Sequence, residues 1–421
     1  MRSDALDVPE PVRRIAERLE EAGYETWAVG GAVRDALLGA VRSDWDLATA
    51  AHPDTVQSLF RPSYPIGLRF GTVGVRGSDG RIYEVTTFRK DIETDGRHAV
   101  VEYADSIDED LARRDFTINA IAYHPLDGRF RDPFCGGDDL RDRRLRCVGE
   151  PAVRFAEDYL RVLRGLRFAG RYELEIVPDS WRALTEAVPK IVYLSGERIR
   201  EELLKVLAGP RASSTLTLYQ KSGARDVMFP ELVGLDEIEW ERTLRTIEVL
   251  PPQRLHLRLV VLLLPLAPRL EEVMTRLRFS NAELRDVEEL CAALRHPLPE
   301  RAEVARARRW LRKVSPSRAR DVLRLHIAFA RAADAEPAQR AELGGRVRGV
   351  LEVLRRGDPV TLKDLAIDGN DLMELGFEPG PPLGRVLEDC LEAVIDDPEL
   401  NRRERLLEMV EERRRHGTGG S

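Results

Sequence analysis

Hydrophobic and polar positions change their spacing once along the chain, near residue 150. Before that point, short apolar runs alternate with amphipathic stretches, as is typical of strands interleaved with helices. Residues 89–101 are polar with little periodicity, so we expect a mobile loop there, flanked by strands. The pattern as a whole predicts a small domain with an open sheet. The predicted strands are 26–29, 44–48, 71–76 and 82–88, and the predicted helices lie near 12–22, 33–38 and 53–60.

After Pro151 the strands disappear and helical periodicity dominates to the end of the chain. The helix predicted over 195–208 has Ser195 as its N-cap and Gly209-Pro210 as its stop. The fold class is therefore α+β, with the sheet confined to the first third. The other predicted helices are 155–170, 238–249, 254–264, 281–294, 302–313, 317–334, 383–395 and 402–415.

Composition narrows the class of protein. A chain of 421 residues exceeds one ordinary core, so roughly two to four domains are expected. No apolar run approaches the ~20 residues that a membrane-spanning helix needs. The cysteines lack metal-ligand spacing and the N-terminus lacks a signal-peptide core, which together predict a reduced, cytoplasmic protein. The net charge of −7 does not exclude nucleic acid, because binding needs only a local basic face.

A glycine pair and a carboxylate pair follow the first two predicted strands. Gly30-Gly31 precedes a helix, so backbone N–H groups can approach a polyphosphate, and Arg34 adds positive charge one turn later. Asp44 and Asp46 are two residues apart on a predicted strand and would project from one face. Paired carboxylates of this kind can hold two divalent cations ~3.5–4 Å apart for phosphoryl transfer. Each feature alone is common, but the ordered combination predicts a nucleotidyltransferase.

Asp115 and Asn119 lie four residues apart, which would place them on one helical face, just after Arg113 and Arg114. In isolation, such a segment is a capped helix start with a solvated basic pair. The upstream carboxylates favour a second interpretation. In that interpretation an arginine meets a triphosphate and the polar pair organises the ribose.

Asp158, Arg161 and Arg164 are spaced three residues apart in a predicted helix, so one face would carry an acceptor beside fixed donors. A simple ion pair there would contribute only a few tenths of a kcal/mol. Cytosine and adenine each offer an amino donor beside a ring-nitrogen acceptor, which a carboxylate and a guanidinium can pair. Guanine and uracil present the opposite pattern and would leave buried polar groups unpaired, at ~1–3 kcal/mol per group. Such a face would accept C and A without a nucleic-acid template.

The chain resembles the class II tRNA nucleotidyltransferases, the CCA-adding family, whose polymerase-β-like head is shared with bacterial poly(A) polymerases. The resemblance covers nearly the whole chain. One departure is an extra residue, Cys135, within Asp132-Pro-Phe-Cys135-Gly-Gly, which we expect to be a small apolar filler. The matching motifs are Gly30-Gly31-x-x-Arg34-Asp35, Asp44-x-Asp46, Gly71-Thr72-Val73, Arg113-Arg114-Asp115-x-x-x-Asn119, Asp132-Pro133-Phe134, Glu157-Asp158-x-x-Arg161-x-x-Arg164 and Glu197-Arg198-Ile199.

The resemblance implies a role for each matching residue. Asp44 and Asp46 would be the catalytic carboxylates and would ligate Mg²⁺, and Glu84 is a candidate auxiliary carboxylate. Segment 89–101 resembles the loop with which family members switch from C to A addition. The nucleotide-binding residues would be Gly31 and Arg34 at the phosphates, Arg114 and Asp115 near triphosphate and ribose, and Asp158, Arg161, Arg164 and Arg167 at the base.

The same resemblance implies four domains: a nucleotidyltransferase head (1–140), a neck that recognises the base (141–210), a helical body (211–335) and a tRNA-binding tail (336–421). The implied partners are tRNA, ATP and CTP, with no DNA and no membrane. The implied reaction is addition of CCA to tRNA. A specialist that adds only A or only CC, a poly(A) polymerase on the same head, and a non-catalytic RNA-binding relative stay open as alternatives.

Overall fold

The structure is a computed structural model that describes residues 6–39, 44–67, 71–94, 99–300 and 303–417. By the density of internal contacts the chain divides into two units. The first comprises residues 1–235 and 272–279, and the second comprises residues 236–271 and 280–421.

A seven-stranded mixed sheet forms the N-terminal part of the first unit, within the described residues. Its strands lie side by side in the order Ser63–Gly67, Thr72–Arg76, Ile82–Thr87, Asp46–Thr49, Thr26–Val29, Ala122–Tyr123 and Phe130–Arg131. The third and fourth strands of this order are parallel, and all other neighbours are antiparallel. The α+β prediction is confirmed. The strands of this unit are β1 (Thr26–Val29), β2 (Asp46–Thr49), β3 (Ser63–Gly67), β4 (Thr72–Arg76), β5 (Ile82–Thr87), β6 (Arg89–Thr94), β7 (Ala99–Tyr103), β8 (Ala122–Tyr123), β9 (Phe130–Arg131), β10 (Arg144–Leu145) and β11 (Glu175–Ile176).

The register of β1 and β2 places the two sequence motifs together. Val29 pairs with Asp46, and Gly30 follows Val29 with a φ of 72°. The glycine turn and the first residue of β2 therefore lie at the same end of the sheet. Strand β2 begins at Asp46 rather than at the predicted residue 44, because β1 turns away at Gly30 and offers no partner beyond it. Asp44 thus precedes the strand, and the argument that placed both carboxylates on one strand is wrong for Asp44.

The predicted loop over 89–101 is wrong for the part that the structure describes. Strands β6 and β7 form an antiparallel ribbon, with Arg89 opposite Tyr103 and Lys90 opposite Glu102. Backbone pairing satisfies the main-chain polar groups there, so the ribbon needs no apolar alternation to form. Residues 95–98 lie outside the described part of the chain.

Helices cover the sheet and continue beyond it in the first unit. Apolar residues including Trp27, Val29, Phe88 and Leu111 form a buried core of the head. After Pro151 one short strand, β11, still occurs, where it pairs with β10. The helices of this unit are α1 (Glu10–Glu21), α2 (Gly31–Leu37), α3 (Pro53–Leu59), α4 (Ile107–Ala112), α5 (Gly136–Arg141), α6 (Pro151–Glu157), α7 (Leu160–Tyr172), α8 (Pro178–Ala187), α9 (Gly196–Leu207), α10 (Ala212–Ser222) and α11 (Ala224–Met228).

The predicted helix over 155–170 is interrupted at Asp158. Helix α6 ends at Glu157 and α7 begins at Leu160, while Asp158 is extended with φ −157° and ψ 108°. Its carboxylate accepts a hydrogen bond from the Leu160 backbone N–H at 3.0 Å. Short acidic side chains favour such local bonds over a continuous helix, which is the physical reason for the break. Ser195, in contrast, caps α9 as predicted, accepting from the Arg198 N–H.

The second unit is helical throughout its described residues. Ile367, Leu372, Cys390 and Val394 belong to a buried apolar cluster near its C-terminal end. No helix in the described part of the chain combines the length and hydrophobicity needed to cross a bilayer. The helices, including one that crosses the boundary between the units, are α12 (Glu237–Val249), α13 (Leu255–Leu263), α14 (Leu270–Arg276), α15 (Asn281–Leu294), α16 (Val304–Val314), α17 (Pro316–Ala332), α18 (Pro337–Arg356), α19 (Gly369–Glu374), α20 (Pro381–Asp396) and α21 (Arg403–Gly417).

Candidate active site

A cleft of about 590 Å³ in the first unit collects most of the predicted site residues. Asp44 lies outside it and borders an adjacent recess, which Asp46 and Glu84 also line. Arg167 lines neither cavity. The predicted residues that line the cleft are Gly31, Arg34, Asp46, Arg114, Asp115, Asp158, Arg161 and Arg164.

Negative charge is concentrated at the start of β2. Burial and the neighbouring Glu84 carboxylate raise the pKa of Asp46 to about 6, with a further increase from Asp44 and an opposing effect of Arg114. Carboxylate oxygens are ligands that hard divalent cations prefer, and a cation would relieve this repulsion. No set of three or more acidic, His or Cys side chains is arranged as a metal site among the described residues. The donor chemistry and the charge of Asp44 and Asp46 nevertheless fit a divalent cation.

The glycine turn beside this carboxylate leaves no room for a side chain. Gly30 has a positive φ, and a Cβ there would lie 2.7 Å from Nη1 of Arg114. That guanidinium is held by Asp110, whose Oδ2 accepts from Nη2 at 2.9 Å, and by the Asn119 carbonyl at 3.2 Å. Glycine at position 30 therefore permits close packing of the turn against Arg114.

Asp115 and Asn119 come together, but through a turn rather than a helical face, because α4 ends at Ala112 and only a short 3-10 turn follows. The Asn119 amide donates to Asp115 at 2.9 Å, and Arg164 Nε donates to the other carboxylate oxygen at 2.8 Å. Burial opposes ionisation of Asp115, but Arg164 and Asn119 outweigh it and lower the pKa of Asp115 to about 2. Asp115 is thus a fixed anion that holds Arg164 at the cleft.

Asp158 and Arg161 both line the cleft, but in this structure their polar groups contact other protein groups. Oδ2 of Asp158 accepts from Nη2 of Arg198 at 2.7 Å. Arg161 donates to the Glu157 carboxylate and to the Arg154 carbonyl. A base edge would have to share or replace these bonds.

Arg167 lies in the packing between α7 and α9. Its Nε donates to Glu202 at 2.7 Å, and the Glu202 side chain is 1% exposed. Burial opposes ionisation of Glu202, yet Arg167 and Lys205 hold its pKa below the usual value. Arg167 therefore supports the cleft from behind, whereas the sequence had grouped it with the residues that bind nucleotide.

Two cleft-related residues received no role from the sequence. Arg198 lies in a motif that the sequence identified, and only the fold shows that it reaches Asp158. Tyr172, at the end of α7, reaches Arg34 on α2 and lies 138 residues from it along the chain. Neither contact follows from local spacing, so no sequence signal pointed to them.

Three protein families match successive parts of the chain. The family described as "Poly A polymerase head domain" matches residues 26–146. "Probable RNA and SrmB- binding site of polymerase A" matches 173–235, and "tRNA nucleotidyltransferase domain 2 putative" matches 257–410. The solved CCA-adding enzyme of Bacillus stearothermophilus in complex with CTP is 31% identical with a TM-score of 0.80, over 98% of this chain and 99% of that one. The chain belongs to the CCA-adding enzyme family.

Curated members of the CCA-adding family align in sequence with about half of this chain. The curated CCA-adding enzyme of Geobacillus stearothermophilus is 40% identical over 225 residues, 53% of this chain and 55% of the relative. That of Geobacillus thermodenitrificans is 42% identical over 231 residues, 54% of this chain and 56% of the relative. The chain thus spans about half the length of the curated relatives it matches. The Thermotoga maritima CCA-adding enzyme complexed with tRNA, at 22% identity, a TM-score of 0.66 and 96% coverage of each chain, shows the shared fold.

Proposed function

We propose that this protein adds CCA to the 3′ end of tRNA from CTP and ATP, without a nucleic-acid template and with release of pyrophosphate. The observation that carries the proposal is the convergence of the Asp46 carboxylate, the Gly30-Gly31 turn and the Asp158–Arg161 junction on one cleft. The first two suit a reacting triphosphate, and the third suits recognition of a base. Family relatives crystallised with CTP, ATP and tRNA support the same substrates for this chain.

The reaction joins the 3′-hydroxyl oxygen of the RNA to the α-phosphorus of the nucleotide. The bond from that phosphorus to the bridging oxygen breaks, pyrophosphate leaves, and the hydroxyl proton is released to solvent. Asp44 and Asp46 would hold Mg²⁺, whose positive charge supports the attacking and leaving oxygens in two-metal transfer. Glu84 adds negative charge to the same place, since its carboxylate raises the pKa of Asp46.

The cationic side chains of the cleft have distinct proposed roles. Arg114, fixed by Asp110, presents positive charge beside the glycine turn where the triphosphate would lie. Arg34 would contact the same phosphates beside Gly31. Asp115 would hold Arg164 and Asn119 in place at the ribose end of the site, since its carboxylate accepts a hydrogen bond from each of them.

Base selection is proposed for the junction between α6 and α7. The Asp158 carboxylate would accept from the exocyclic amino group of C or A, and Arg161 would donate to the adjacent ring nitrogen. Arg198 would orient the Asp158 carboxylate, and Arg167 would support α7 through Glu202. Uracil and guanine would place a carbonyl oxygen against the Asp158 carboxylate and a ring N–H against the Arg161 guanidinium.

The four-part division into head, neck, body and tail is kept as part of the proposal. Residues 336–421 would form the tail that contacts tRNA. The four free cysteine thiols support a reducing, cytoplasmic location.

Addition to defined RNA ends tests the proposal. The purified protein and Mg²⁺ are incubated with a tRNA ending at the discriminator base, or with the same tRNA ending in CC, and with CTP alone, ATP alone or both, and the 3′ ends are sequenced. We expect C-C with CTP and C-C-A with both nucleotides. Growth of long A tracts would identify a poly(A) polymerase, and addition stopping at CC or requiring a CC end would identify a specialist. No extension under any condition would overturn the proposal.

A further inference from the structure

The Tyr172 hydroxyl closes a hydrogen-bonded ring with Arg34 and Asp35. It accepts from Nη2 of Arg34 at 2.7 Å and donates to Oδ1 of Asp35 at 2.9 Å. The same Asp35 oxygen accepts from Nε and Nη2 of Arg34, at 2.9 and 2.7 Å. Each member of the ring is therefore bonded to the other two.

Aromatic rings and an amide fix the same guanidinium in its remaining directions. The Arg34 guanidinium carbon lies 5.1 Å from the centre of the Phe168 ring and 4.6 Å from that of Tyr172. Its Nη1 donates to the Asn119 side chain at 2.5 Å. A guanidinium has five N–H donors, so these bonds leave one Nη1 N–H for a group in the cleft, counting partners among the described residues.

The fixed guanidinium lies where a phosphate would be bound. Arg34 is 6% exposed, and it lines the cleft. A Cβ built on Gly31 would lie 3.6 Å from its Nη2, so the side chain packs against the glycine turn. A long side chain that is already immobilised loses little conformational freedom on binding a ligand, which favours affinity.

We propose that Tyr172 is a positioning residue that holds Arg34 ready for the triphosphate. The inference rests on the proposed function and deepens it. Tyr172 itself does not line the cleft, so its effect passes through Arg34. Because the phosphates are common to CTP and ATP, the effect is the same for both nucleotides and independent of the base.

The test compares Tyr172→Phe with Tyr219→Phe. The first variant removes the hydroxyl and keeps the ring against Arg34. The second removes a buried hydroxyl that has no hydrogen-bond partner among the described residues, on a residue of α10 that does not line the cleft. Both are assayed for kcat and KM with CTP and with ATP, for inhibition by inorganic tripolyphosphate, and for Tm.

For Tyr172→Phe we expect KM for both nucleotides and the inhibition constant of tripolyphosphate to rise by the same factor, about fivefold, because Arg34 loses part of the fixation that favours binding when both hydroxyl bonds are removed. Its kcat and its preference for CTP over UTP stay unchanged, and Tyr219→Phe matches the unchanged protein in all three constants. An unchanged tripolyphosphate constant in Tyr172→Phe, with or without a lower Tm, would overturn the inference. Failure of the unchanged protein to add nucleotides would instead overturn the proposed function.

Discussion

Asp158 shows how one carboxylate can depend on its neighbours for its function. Its Oδ1 accepts from the Leu160 N–H at the start of α7 and its Oδ2 pairs with Arg198, so both oxygens already have partners. Such bonds limit the directions in which the carboxylate can accept from a base. The amino group of C or A would fit as an additional donor, whereas a carbonyl oxygen would meet only repulsion.

Replacing Asp158 by alanine should relax base selection. We expect the ratio of kcat/KM for CTP over UTP, and for ATP over GTP, to fall about tenfold or more, because the repulsion against a carbonyl disappears. Initial rates with each nucleotide measure this. Asp179→Ala is the matched control, since that aspartate is exposed and pairs only with Arg182 on α8 among its described contacts. Unchanged ratios in an active Asp158→Ala protein would show that selection lies elsewhere.

The residue types of the site could be predicted from the sequence, but their pairings could not. The glycine pair and the separate acidic and basic motifs were identified from spacing, and the fold brings eight of the ten predicted residues to one cleft. Arg167 stays a predicted nucleotide-site residue, but it does not line the cleft, and only the packing shows that α9 supplies Glu202 as its partner. Bonds between residues far apart in sequence, such as that of Arg198 with Asp158, require the tertiary structure.

At the scale of the secondary-structure element, helix α2 has a glycine at each end, and the two positions differ in the space available for a side chain. Gly30 and Gly39 both have positive φ values, 72° and 79°, at the two ends of α2. Only Gly30 has a neighbour close to the position of a Cβ, namely Arg114, while no atom of the described residues lies within 4 Å of the corresponding position at Gly39. A side chain at Gly39 would therefore cause backbone strain alone, whereas a side chain at Gly30 would cause the same strain and also crowd Arg114.

Alanine at these two positions should have different consequences. We expect Gly39→Ala to lose about 1 kcal/mol of stability through backbone strain and to keep its activity. Gly30→Ala should lose a similar amount and also displace Arg114, lowering kcat/KM for CTP by about tenfold or more. Thermal unfolding and initial rates give the two quantities. Equal activity of the two variants would contradict a role of the close Arg114 packing.

Elements were predicted best where apolar periodicity is strong. Helix α15 was predicted with the bounds it has, whereas α18, the 20-residue helix Pro337–Arg356, was missed. Gly344-Gly345 interrupts its middle, and glycine disfavours a helix by about 1 kcal/mol each, so tertiary packing must stabilise it. The ribbon of β6 and β7 was missed because its strands are held by backbone pairing, which leaves no hydrophobic pattern in the sequence.

At the scale of the whole molecule, arginine is the main basic residue, and some arginines join separate elements. Only six of the 66 basic residues are lysine. In the second unit Arg309 and Arg312 on α16 pair with Glu388, Glu392 and Asp396 on α20. Because these arginines are paired with carboxylates, the net charge of −7 does not by itself describe the charge of any one surface.

Salt dependence should reveal whether the helical tail contacts tRNA, as we propose. We expect log KM for full tRNA to rise more steeply with log[KCl] than log KM for an acceptor-stem minihelix, by about one unit of slope for each phosphate contact that the minihelix lacks. Rates over a KCl series with both RNAs give the two slopes, and CTP is held saturating. Parallel lines would mean that residues 336–421 do not bind the distant part of tRNA.

The interruption between α6 and α7 also constrains the length of the chain. Helix α6 packs on α8, and α7 packs on α9 and α10, so the two helices are oriented independently of each other. Adding or deleting one residue at Tyr159 would rotate α7 by about 100° relative to its neighbours. The side chains of α7 would then lose their contacts at the same time, including those of Arg161, Arg164 and Tyr172. The number of residues at this junction is therefore more tightly constrained than in an ordinary connecting loop.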